Sequence, residues 1–456
     1  MSTEDHTPLS VIVVGGGFGG LTAAIECRLR GMKVTLIERY VNSNTRGDII
    51  DFFVNGGLVI SRWDDGKVGN ELLSIGCEAD FLEMHKYDGK PLYHVPWFLK
   101  DEDRTRTFAA HRGKQHGIFL AYARRLGTEV ILGRAVKEYI EPAGEARAGV
   151  ILEDNECLWA DVVIAADGSR SLARRQVIGL NEEGQKSGWA IFRSYIRPDD
   201  EARAHPDLKD FFRNGEDVIK AWQHDTISIL AYSWNKGQEV AWVMMHPDND
   251  DVEESWSCNV PKSNVDPFIA PFAAEPKALL ECTPPECLID FKLVYRKALK
   301  KWTSRGGRTI LIGDAAHAHL PTSGQGGSQA IEDAVTVASC LRKCGKDVPL
   351  ALEAAQRIRY NRANRFHASA VFHRDVFSKV PWDTIEANPK EWALKRFPRV
   401  RDFDAAAVVD ECFDKVKQGI LENPNGSLDD VAIPMLPMEG THLDLAEISA
   451  IMGMET

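Results

Sequence analysis

The chain of 456 residues is 44% hydrophobic, which is enough to bury a large core in two or three lobes. Its formal net charge of −12 argues against nucleic acid as a partner. Nine scattered cysteines indicate reduced thiols, the polar first residues do not resemble a signal peptide, and no apolar run approaches the roughly 20 residues of a membrane span, so the sequence predicts a cytoplasmic protein without a membrane span.

The first predicted unit is a strand, a glycine-rich turn and a helix. Residues 9–14 form a short apolar run, and residues 21–30 have helical spacing. Between them Gly15, Gly17 and Gly20 fill the G-x-G-x-x-G pattern, in which the first glycine allows the tight turn, the second admits a pyrophosphate and the third lets helix and strand pack closely. The phosphates would lie at the N-terminus of the helix.

A second strand candidate, residues 33–37, ends at Glu38, where an acidic residue can hold the hydroxyl groups of a ribose. This complete context favours an adenine dinucleotide over the alternative of a βαβ turn that binds nothing. The pattern alone does not distinguish FAD from NAD.

A β-rich region follows Asp167-Gly168, which closes a further apolar run at residues 162–166. Strand candidates in this region carry β-branched and aromatic residues, and the Asn-Lys-Gly run at 235–237 is a hairpin turn between two of them. These candidates are residues 189–196, 218–223, 227–234 and 240–246. We expect them to form a sheet that covers the substrate.

In the strand 189–196 a period of two places Trp189, Ile191, Arg193 and Tyr195 on one face. An arginine in an apolar row needs a partner. Either Arg193 forms a structural salt bridge at the edge of the sheet, or it faces the ligand pocket.

The last glycine-rich element, residues 313–327, follows an apolar strand candidate and leads into a predicted helix at 328–344. Asp314, at the end of the strand, can hydrogen-bond a ribityl hydroxyl group. The amides at the start of the helix beyond Gly326 can face a flavin ring and stabilise negative charge on it. This element favours FAD.

His317 and His319, near Asp314, raise the alternative of a metal site. Two histidines that lie two residues apart on a turn lack the further ligand cluster that such sites use. Because the flanking glycines favour packing against a cofactor, we expect no bound metal.

These elements predict an α/β protein, in which a Rossmann-type FAD-binding domain is interrupted by an inserted β-sheet substrate domain and followed by C-terminal helices. The expected boundaries are 1–76, 104–177 and 288–344 for the FAD-binding domain, 77–103 and 178–287 for the β-rich substrate domain, and 345–456 for the C-terminal helical region and its tail.

The combination of motifs resembles the single-component, class A FAD-dependent aromatic monooxygenases, the group that includes p-hydroxybenzoate and salicylate hydroxylases. The resemblance covers most of the chain. The residues that carry it are the first glycine turn with Glu38, His111-Arg112, Ala166-Asp167-Gly168, and residues 313–327 with Glu332-Asp333-Ala334.

The resemblance implies bound FAD, transient NADPH or NADH, and O2 as a co-substrate; no second G-x-G-x-x-G provides a separate nicotinamide domain. It also implies that the Asp-Gly element contacts both FAD and the nicotinamide, that Arg112 reaches the flavin, and that Pro321 lines the face that reacts with oxygen. The cofactor-binding residues expected on this basis are Gly15, Gly17, Gly20, Glu38, Arg39, Gly47, Arg112, Asp167, Asp314, Pro321, Gly324, Gly326 and Gly327.

The sequence departs from the common family pattern, Gly-Ala-Gly-Ile-Gln, in the run Arg-Gly-Asp-Ile-Ile-Asp at 46–51. Asp48 could pair with Arg193, hydrogen-bond an N–H group of the substrate, or act as a general acid. It could equally cap its own loop. The Arg-Gly-Asp-Ile form is similar to a subset of fungal monooxygenases that act on indole alkaloids and indole terpenoids.

Three residues are candidates for the catalytic site: Arg193, which matches a substrate-orienting arginine of several fungal members, Asp48 and Tyr232. Tyr232 could accept or donate a substrate proton, or be a buried tyrosine whose hydroxyl group has a structural partner. The resemblance implies transfer of one oxygen atom from a C4a-hydroperoxyflavin to an electron-rich aromatic substrate. With an indole, opening of an epoxide and a 1,2-shift would give an oxindole.

Two alternatives remain. A phenol or polyketide hydroxylase of the same family would bind a phenolate through Arg193 and Tyr232, and Asp48 would then repel the substrate. A non-catalytic flavoprotein would bind FAD as a sensor or a structural element. For both the indole monooxygenase and the phenol hydroxylase, the expected partner is a small aromatic molecule. The protein is expected to be a monomer or a homodimer.

Overall fold

The computed structural model describes residues 8–42, 48–98, 100–181, 184–248, 259–296, 299–378, 382–390, 403–424 and 426. Gly47 and almost all of the predicted tail lie outside these residues. The strands are β1 Ser10–Val14, β2 Lys33–Glu38, β3 Ile49–Phe52, β4 Phe81–Lys86, β5 Pro91–Pro96, β6 Phe108–His111, β7 Glu129–Leu132, β8 Val136–Ile140, β9 Ala148–Leu152, β10 Cys157–Ala160, β11 Val162–Ala165, β12 Gln185–Ile196, β13 Val218–Gln223, β14 Ser228–Trp234, β15 Glu239–Pro247, β16 Leu288–Tyr295 and β17 Thr309–Leu311.

The helices complete the element order, with short 3₁₀ turns such as Pro321–Ser323 between them. They are α1 Phe18–Leu29, α2 Val54–Ile60, α3 Lys67–Leu73, α4 Arg112–Arg125, α5 Leu172–Gln176, α6 Asp200–Arg203, α7 Asp266–Ile269, α8 Ala274–Glu281, α9 Asp314–His317, α10 Gly326–Cys344, α11 Val348–Ser378, α12 Trp382–Ala387 and α13 Ala405–Glu422. None of the helices within the described ranges is long and apolar enough to cross a membrane.

A five-stranded parallel sheet in the order β17-β11-β1-β2-β7 forms the first layer. The predicted strand, turn and helix at its centre are confirmed as β1 and α1. Helix α1 begins at Phe18, before the predicted start at 21, because Gly19 and Gly20 adopt helical structure without contributing to the apolar periodicity. The turn therefore occupies only the residues between Val14 and Phe18.

A seven-stranded sheet in the order β16-β12-β15-β14-β13-β4-β5 forms the inserted layer. The hairpin predicted between β14 and β15 is present, and its turn residues at 235–237 all have positive φ. Strand β16 pairs with β12, so this segment belongs to the large sheet, although the sequence placed residues 288–344 in the first domain. An apolar β-branched run does not specify which of two sheets it joins.

The two faces of β12 have different environments, as its period of two predicts. Phe192 and Ile196 pack with α8 and its neighbours on the outer face. Trp189, Ile191 and Tyr195 belong to clusters on the inner face, towards the first layer. Arg193 lies on this inner side, and β12 is an interior strand between β15 and β16, so an arginine at the edge of the sheet is excluded.

A two-stranded ribbon, β3 with β6, separates the two layers. Ile50 and Phe52 point towards the core of the first layer, where a Cβ atom on Gly327 would lie 2.7 Å from the Phe52 ring. Ile49 packs on the opposite side, with the residues of the large sheet. Since side chains alternate along a strand, Asp51 shares the side of Ile49 and faces the inserted sheet.

Candidate active site

The glycine turn after β1 has two glycines that the protein itself requires and one that faces open space. Gly15 has φ +106°, and a Cβ atom on it would lie 2.2 Å from the carbonyl oxygen of Ala166. A Cβ atom on Gly20 would lie 1.9 Å from the carbonyl oxygen of Gly15. A Cβ atom on Gly17 would meet nothing within 4 Å. The space beside Gly17 fits a pyrophosphate at the N-terminus of α1.

Glu38 is fixed beside this turn by two backbone amides. Gly16 N donates to Glu38 Oε2 at 2.6 Å, and Tyr40 N donates to Oε1 at 3.0 Å. Each carboxylate oxygen keeps a further lone pair for a ribose hydroxyl group. His116 Nε2 lies 2.6 Å from the carbonyl oxygen of Gly16, and burial lowers the pKa of this histidine. His116 is not predicted from the sequence, where its only signal is a position one helical turn after Arg112.

The loop between β17 and α10 exposes the residues that the sequence assigned to the cofactor. Asp314, Pro321 and Gly324 are exposed, although most of their neighbours in the loop are buried. The first turn of α10 contains no acidic side chain that would occupy its free amide groups. The loop thus presents a carboxylate and a helix N-terminus on one accessible surface, which fits the ribityl chain and ring of a flavin.

Ala330 of α10 brings the two glycine elements together. A Cβ atom on Gly19 and one on Gly313 would each lie 3.1 Å from the Cβ atom of Ala330. The close approach of α1 to α10 therefore depends on small residues on both sides. It places the turn after β1 and the loop after β17 on the same helix.

Asp167 has a structural role that the sequence did not show. Its Oδ2 atom accepts hydrogen bonds from Leu172 N at 2.9 Å, Ala173 N at 3.2 Å and Tyr139 Oη at 3.0 Å, so it closes the first turn of α5. Its Oδ1 atom is buried and has no partner among the residues described. A buried acceptor without a partner fits the predicted contact of Asp167 with a cofactor hydroxyl group. Arg39, also predicted at the cofactor, is exposed and acts on the same tyrosine electrostatically.

Asp48 and Arg193 form a buried ion pair beside the half-buried Arg112. The Arg193 guanidinium donates to Asp48 Oδ1, and both residues are less than 10% exposed. Arg112 N donates to the carbonyl oxygen of Asp48 at 2.9 Å. Burial, and then the positive charge of Arg193, lower the pKa of Arg112. Of the roles considered for Asp48, pairing with Arg193 is the one that the geometry contains.

Tyr232 contacts a different carboxylate. Its hydroxyl group donates to Asp51 Oδ2 at 2.9 Å, and the tyrosine is 2% exposed. Burial raises the pKa of Asp51 to about 7; the hydrogen bond from Tyr232 lowers this pKa, and the negative charge of Asp48 raises it. Asp51 is not predicted as a site residue from the sequence, because its contact with Tyr232 joins positions far apart in the chain.

A fully buried ionic network supports the start of α10. Glu332 and Asp333 have no exposed surface, and Arg359 of α11 binds both of them. Asp333 Oδ2 also accepts from Gly313 N at 2.9 Å and lies 2.6 Å from His317 Nε2. His317 therefore orders the loop through Asp333. Among the described residues no group of three or more His, Cys, Asp or Glu side chains is arranged to hold a metal ion.

A second part of the network reaches α2 and the loop before α10. Asn55 Nδ2 donates to Glu332 Oε1 at 2.6 Å and to Gln325 Oε1 at 3.0 Å. Arg362 binds Glu332 as well, with Nε to Oε2 at 2.6 Å. Helices α2, α10 and α11 thus meet at the Glu332 carboxylate, and the loop joins them through Asn55. The network could not be read from the sequence because each arginine alone resembles a solvated residue of a helix.

Comparisons with known proteins agree with this geometry. Two models described as "FAD binding domain" match residues 10–48 and 114–369. The flavin-dependent monooxygenase pboD of Aspergillus ustus is 31% identical, over 91% of this chain and 93% of that protein. Asperlicin C monooxygenase of Petromyces alliaceus is 32% identical, over 85% of this chain and 84% of its own length. The crystal structure of CtdE with FAD and a substrate has a TM-score of 0.84 at 30% identity, covering 91% of this chain and 100% of that one.

Proposed function

The chain belongs to the family of FAD-dependent monooxygenases, and from this premise we propose that it inserts one oxygen atom into an electron-rich carbon of an indole-containing metabolite. An oxindole is one product that this reaction can give. The proposal for the substrate rests on the buried Asp48–Arg193 pair on the inner face of the inserted sheet. A neutral aromatic ring with a polar edge suits such a site, because the charges are already balanced within the protein.

The residues that would hold FAD are those of the open glycine turn, Glu38, Asp314 and the start of α10. When bound and reduced by NADPH or NADH, FAD would activate the co-substrate O2, which provides the inserted oxygen atom. The inner face of the large sheet supplies an apolar, aromatic wall with Tyr195, Trp97 and Leu230, which excludes water from the reacting centre.

We assign Arg193 the role of binding the polar edge of the substrate and donating a hydrogen bond to the oxygen of an epoxide as it opens. The guanidinium has only N–H donors and no acceptor, so it acts as a fixed hydrogen-bond donor. Asp48 holds the guanidinium in orientation through their ion pair. Arg112 donates its backbone N–H to the carbonyl oxygen of Asp48. Its side chain adds positive charge near Asp314, in the loop that is predicted to face the flavin.

The experiment that tests this function is oxygenation of a panel of indole and phenol compounds by the purified yellow protein with NADPH and labelled oxygen. We expect an indole compound to accelerate NADPH consumption and to gain one labelled oxygen atom, as measured by mass spectrometry. Acceleration by phenols alone would replace the indole assignment with a phenol hydroxylase. If NADPH does not reduce the flavin in the presence of any of these compounds, the result would instead support a non-catalytic flavoprotein.

Replacing Asp48 with asparagine is expected to lower kcat/KM for an indole substrate by roughly 10²-fold, because Arg193 loses the anion that orients it and is left as a buried, unbalanced charge. Steady-state kinetics measure the effect, with FAD content and the unfolding midpoint as checks on the fold. A phenolate substrate would bind this variant at least as well as the wild type. The variants Arg193→Met and Asp48→Asn with Arg193→Met complete a double-mutant cycle.

A further inference from the structure

The carboxyl group of Asp51 has one oxygen atom engaged and the other free. Tyr232 Oη donates to Oδ2 at 2.9 Å. Oδ1 is buried and has no hydrogen-bond partner within the described part of the chain. Leaving a buried acceptor unpaired destabilises a protein, and each such atom in a folded structure calls for a reason. A ligand that donates a hydrogen bond to Oδ1 would be that reason.

The position of Asp51 places this oxygen between the two layers. Asp51 lies on β3, where Ile50 and Phe52 face the core of the first layer and Ile49 faces the large sheet. The partner of Asp51, Tyr232, lies on β14, in the same inner-face cluster. Asp51 is therefore on the same side of β3 as the aromatic wall assigned to the substrate.

Aromatic contacts connect Asp51 and Tyr232 to the loop between β17 and α10. The Trp97 ring lies 6.3 Å from the Tyr232 ring and 6.0 Å from the Phe53 ring. A Cβ atom on Gly324 would lie 3.1 Å from the Phe53 ring. Trp97 Nε1 is a second buried polar atom without a partner among the residues described. Two unused polar atoms thus line the wall that runs from Tyr232 to the start of α10.

Asp48 is not available for the same contact, because its carboxylate is engaged by Arg193. We propose that Asp51 binds an N–H group of the substrate through its free oxygen atom, and that Tyr232 is the positioning residue that fixes the carboxyl group. This inference rests on the proposed function and narrows its substrate class to aromatic compounds that carry an N–H donor.

The protonation of Asp51 gives the contact a pH dependence. The ionised carboxylate is the stronger acceptor. Because burial raises the pKa of Asp51 to about 7, the carboxyl group becomes protonated as the pH falls below neutrality. An N–H ligand favours the ionised form, so its binding releases a proton and weakens by up to about tenfold for each pH unit below that pKa. The other titratable groups that act on this pair are Asp48, Cys77 and, through Asp48, Arg193.

Binding of a defined probe to the FAD-loaded enzyme tests the contact. The probe is the cyclic dipeptide of tryptophan and alanine, compared with its forms methylated at the indole nitrogen or at the lactam nitrogens, and the change in flavin absorbance gives Kd. We expect one methylation to weaken binding by the wild type at least about tenfold. Asp51→Leu, whose side chain has the same branching and number of heavy atoms but no acceptor, should bind the parent and methylated probes within about threefold of each other.

The pH profile separates hydrogen bonding from a general effect on the fold. In the wild type the Kd of the parent probe should rise as the pH falls from 8 to 6, and Asp51→Asn should lose this dependence. Tyr232→Phe removes a contact that lowers the pKa of Asp51 and should move the midpoint up; Asp48→Asn should move it down. Asp217→Asn is the matched control, because burial also raises the pKa of Asp217 but its carboxylate binds Glu78 N instead, at 2.8 Å.

Equal binding of all methylated forms by the wild type, an unchanged pH profile in Asp51→Asn, or no binding of any form would overturn the proposal. The labelled-oxygen assay distinguishes failure of the proposal for Asp51 from failure of the proposed function. If the enzyme oxygenates indoles without distinguishing N–H from N–CH3, only the role of Asp51 is wrong. If no aromatic compound is oxygenated, the proposed function itself fails.

Discussion

Replacing Arg359 with methionine is expected to lower the free energy of unfolding by about 3–5 kcal/mol and to release FAD. Arg359 is 1% exposed and binds Glu332 and Asp333, neither of which has any exposed surface. Removing the cation leaves Glu332 with Arg362 and Asp333 with His317 as the remaining basic partners, and burial still penalises both carboxylates. Because Asp333 also accepts from Gly313 N, the loop before α10 loses its anchor with the network.

Denaturant unfolding at neutral pH measures the stability change, and flavin absorbance measures the retained cofactor. Arg357→Met is the matched control: it makes the same substitution on the same helix, but Arg357 pairs with Glu353, which lies near the surface, and a loss of only about 1–2 kcal/mol is expected. Equal losses in the two variants would show that the network contributes no more than an ordinary ion pair.

The difference in the free energy of unfolding between the wild type and Arg359→Met depends on pH, and the direction of this dependence follows from the pKa of Asp333. Burial alone would raise the pKa of Asp333, but His317 and Arg359 more than offset this and hold the pKa well below its usual range. A carboxyl group with a lowered pKa stabilises the fold above its unfolded pKa, near 4, and this contribution is lost as the pH falls below that value. The gap in stability between wild type and Arg359→Met should therefore narrow below about pH 4.

Replacing Gly17 with valine is expected to abolish FAD binding, with an affinity loss of roughly 10²-fold or more, while the fold is retained. The backbone at Gly17, with φ −71° and ψ 178°, accommodates a β-branched residue, and no atom lies within 4 Å of the new Cβ position. The side chain would occupy the space that the pyrophosphate needs.

Flavin content and affinity after reconstitution measure this effect, beside the unfolding midpoint of the apoprotein. Gly419→Val in α13 is the control, since a Cβ atom there also meets nothing within 4 Å. That variant should bind FAD like the wild type. Retention of FAD by Gly17→Val would mean that the pyrophosphate lies elsewhere, whereas an unfolded Gly17→Val protein would mean that the position is required for packing.

The glycine turn could be predicted from the sequence because its physics is local. Tight turns and close helix–strand packing demand glycine at fixed spacing, and both requirements are met within ten residues of β1. The residues on the inner face of β12 could be predicted because the alternation of side chains along a strand is also a local property. The Asp48–Arg193 pair was one of several alternatives, and only the fold could select it, since the two residues belong to different layers.

Most of the contacts that the sequence did not predict join distant segments. Tyr232 and Asp51 come from β14 and β3, and nothing in either strand specifies the other. Arg359 and Arg362 would be assigned to the solvated face of a helix, and their burial makes sense only once Glu332 is known to be buried opposite them. Strand β16 pairs with β12 of the large sheet, a choice that competition between sheets decides and its own residues do not.

The ionic network also sets when the protein can acquire its cofactor during synthesis. The turn proposed to bind the pyrophosphate leaves the ribosome first, with β1 and α1, but β17 closes the parallel sheet only after residue 311. The loop proposed to face the flavin is anchored later still, when Arg359 and Arg362 have emerged. A nascent chain therefore exposes a half-formed dinucleotide site for most of its translation, and stable capture of FAD must await nearly the whole polypeptide.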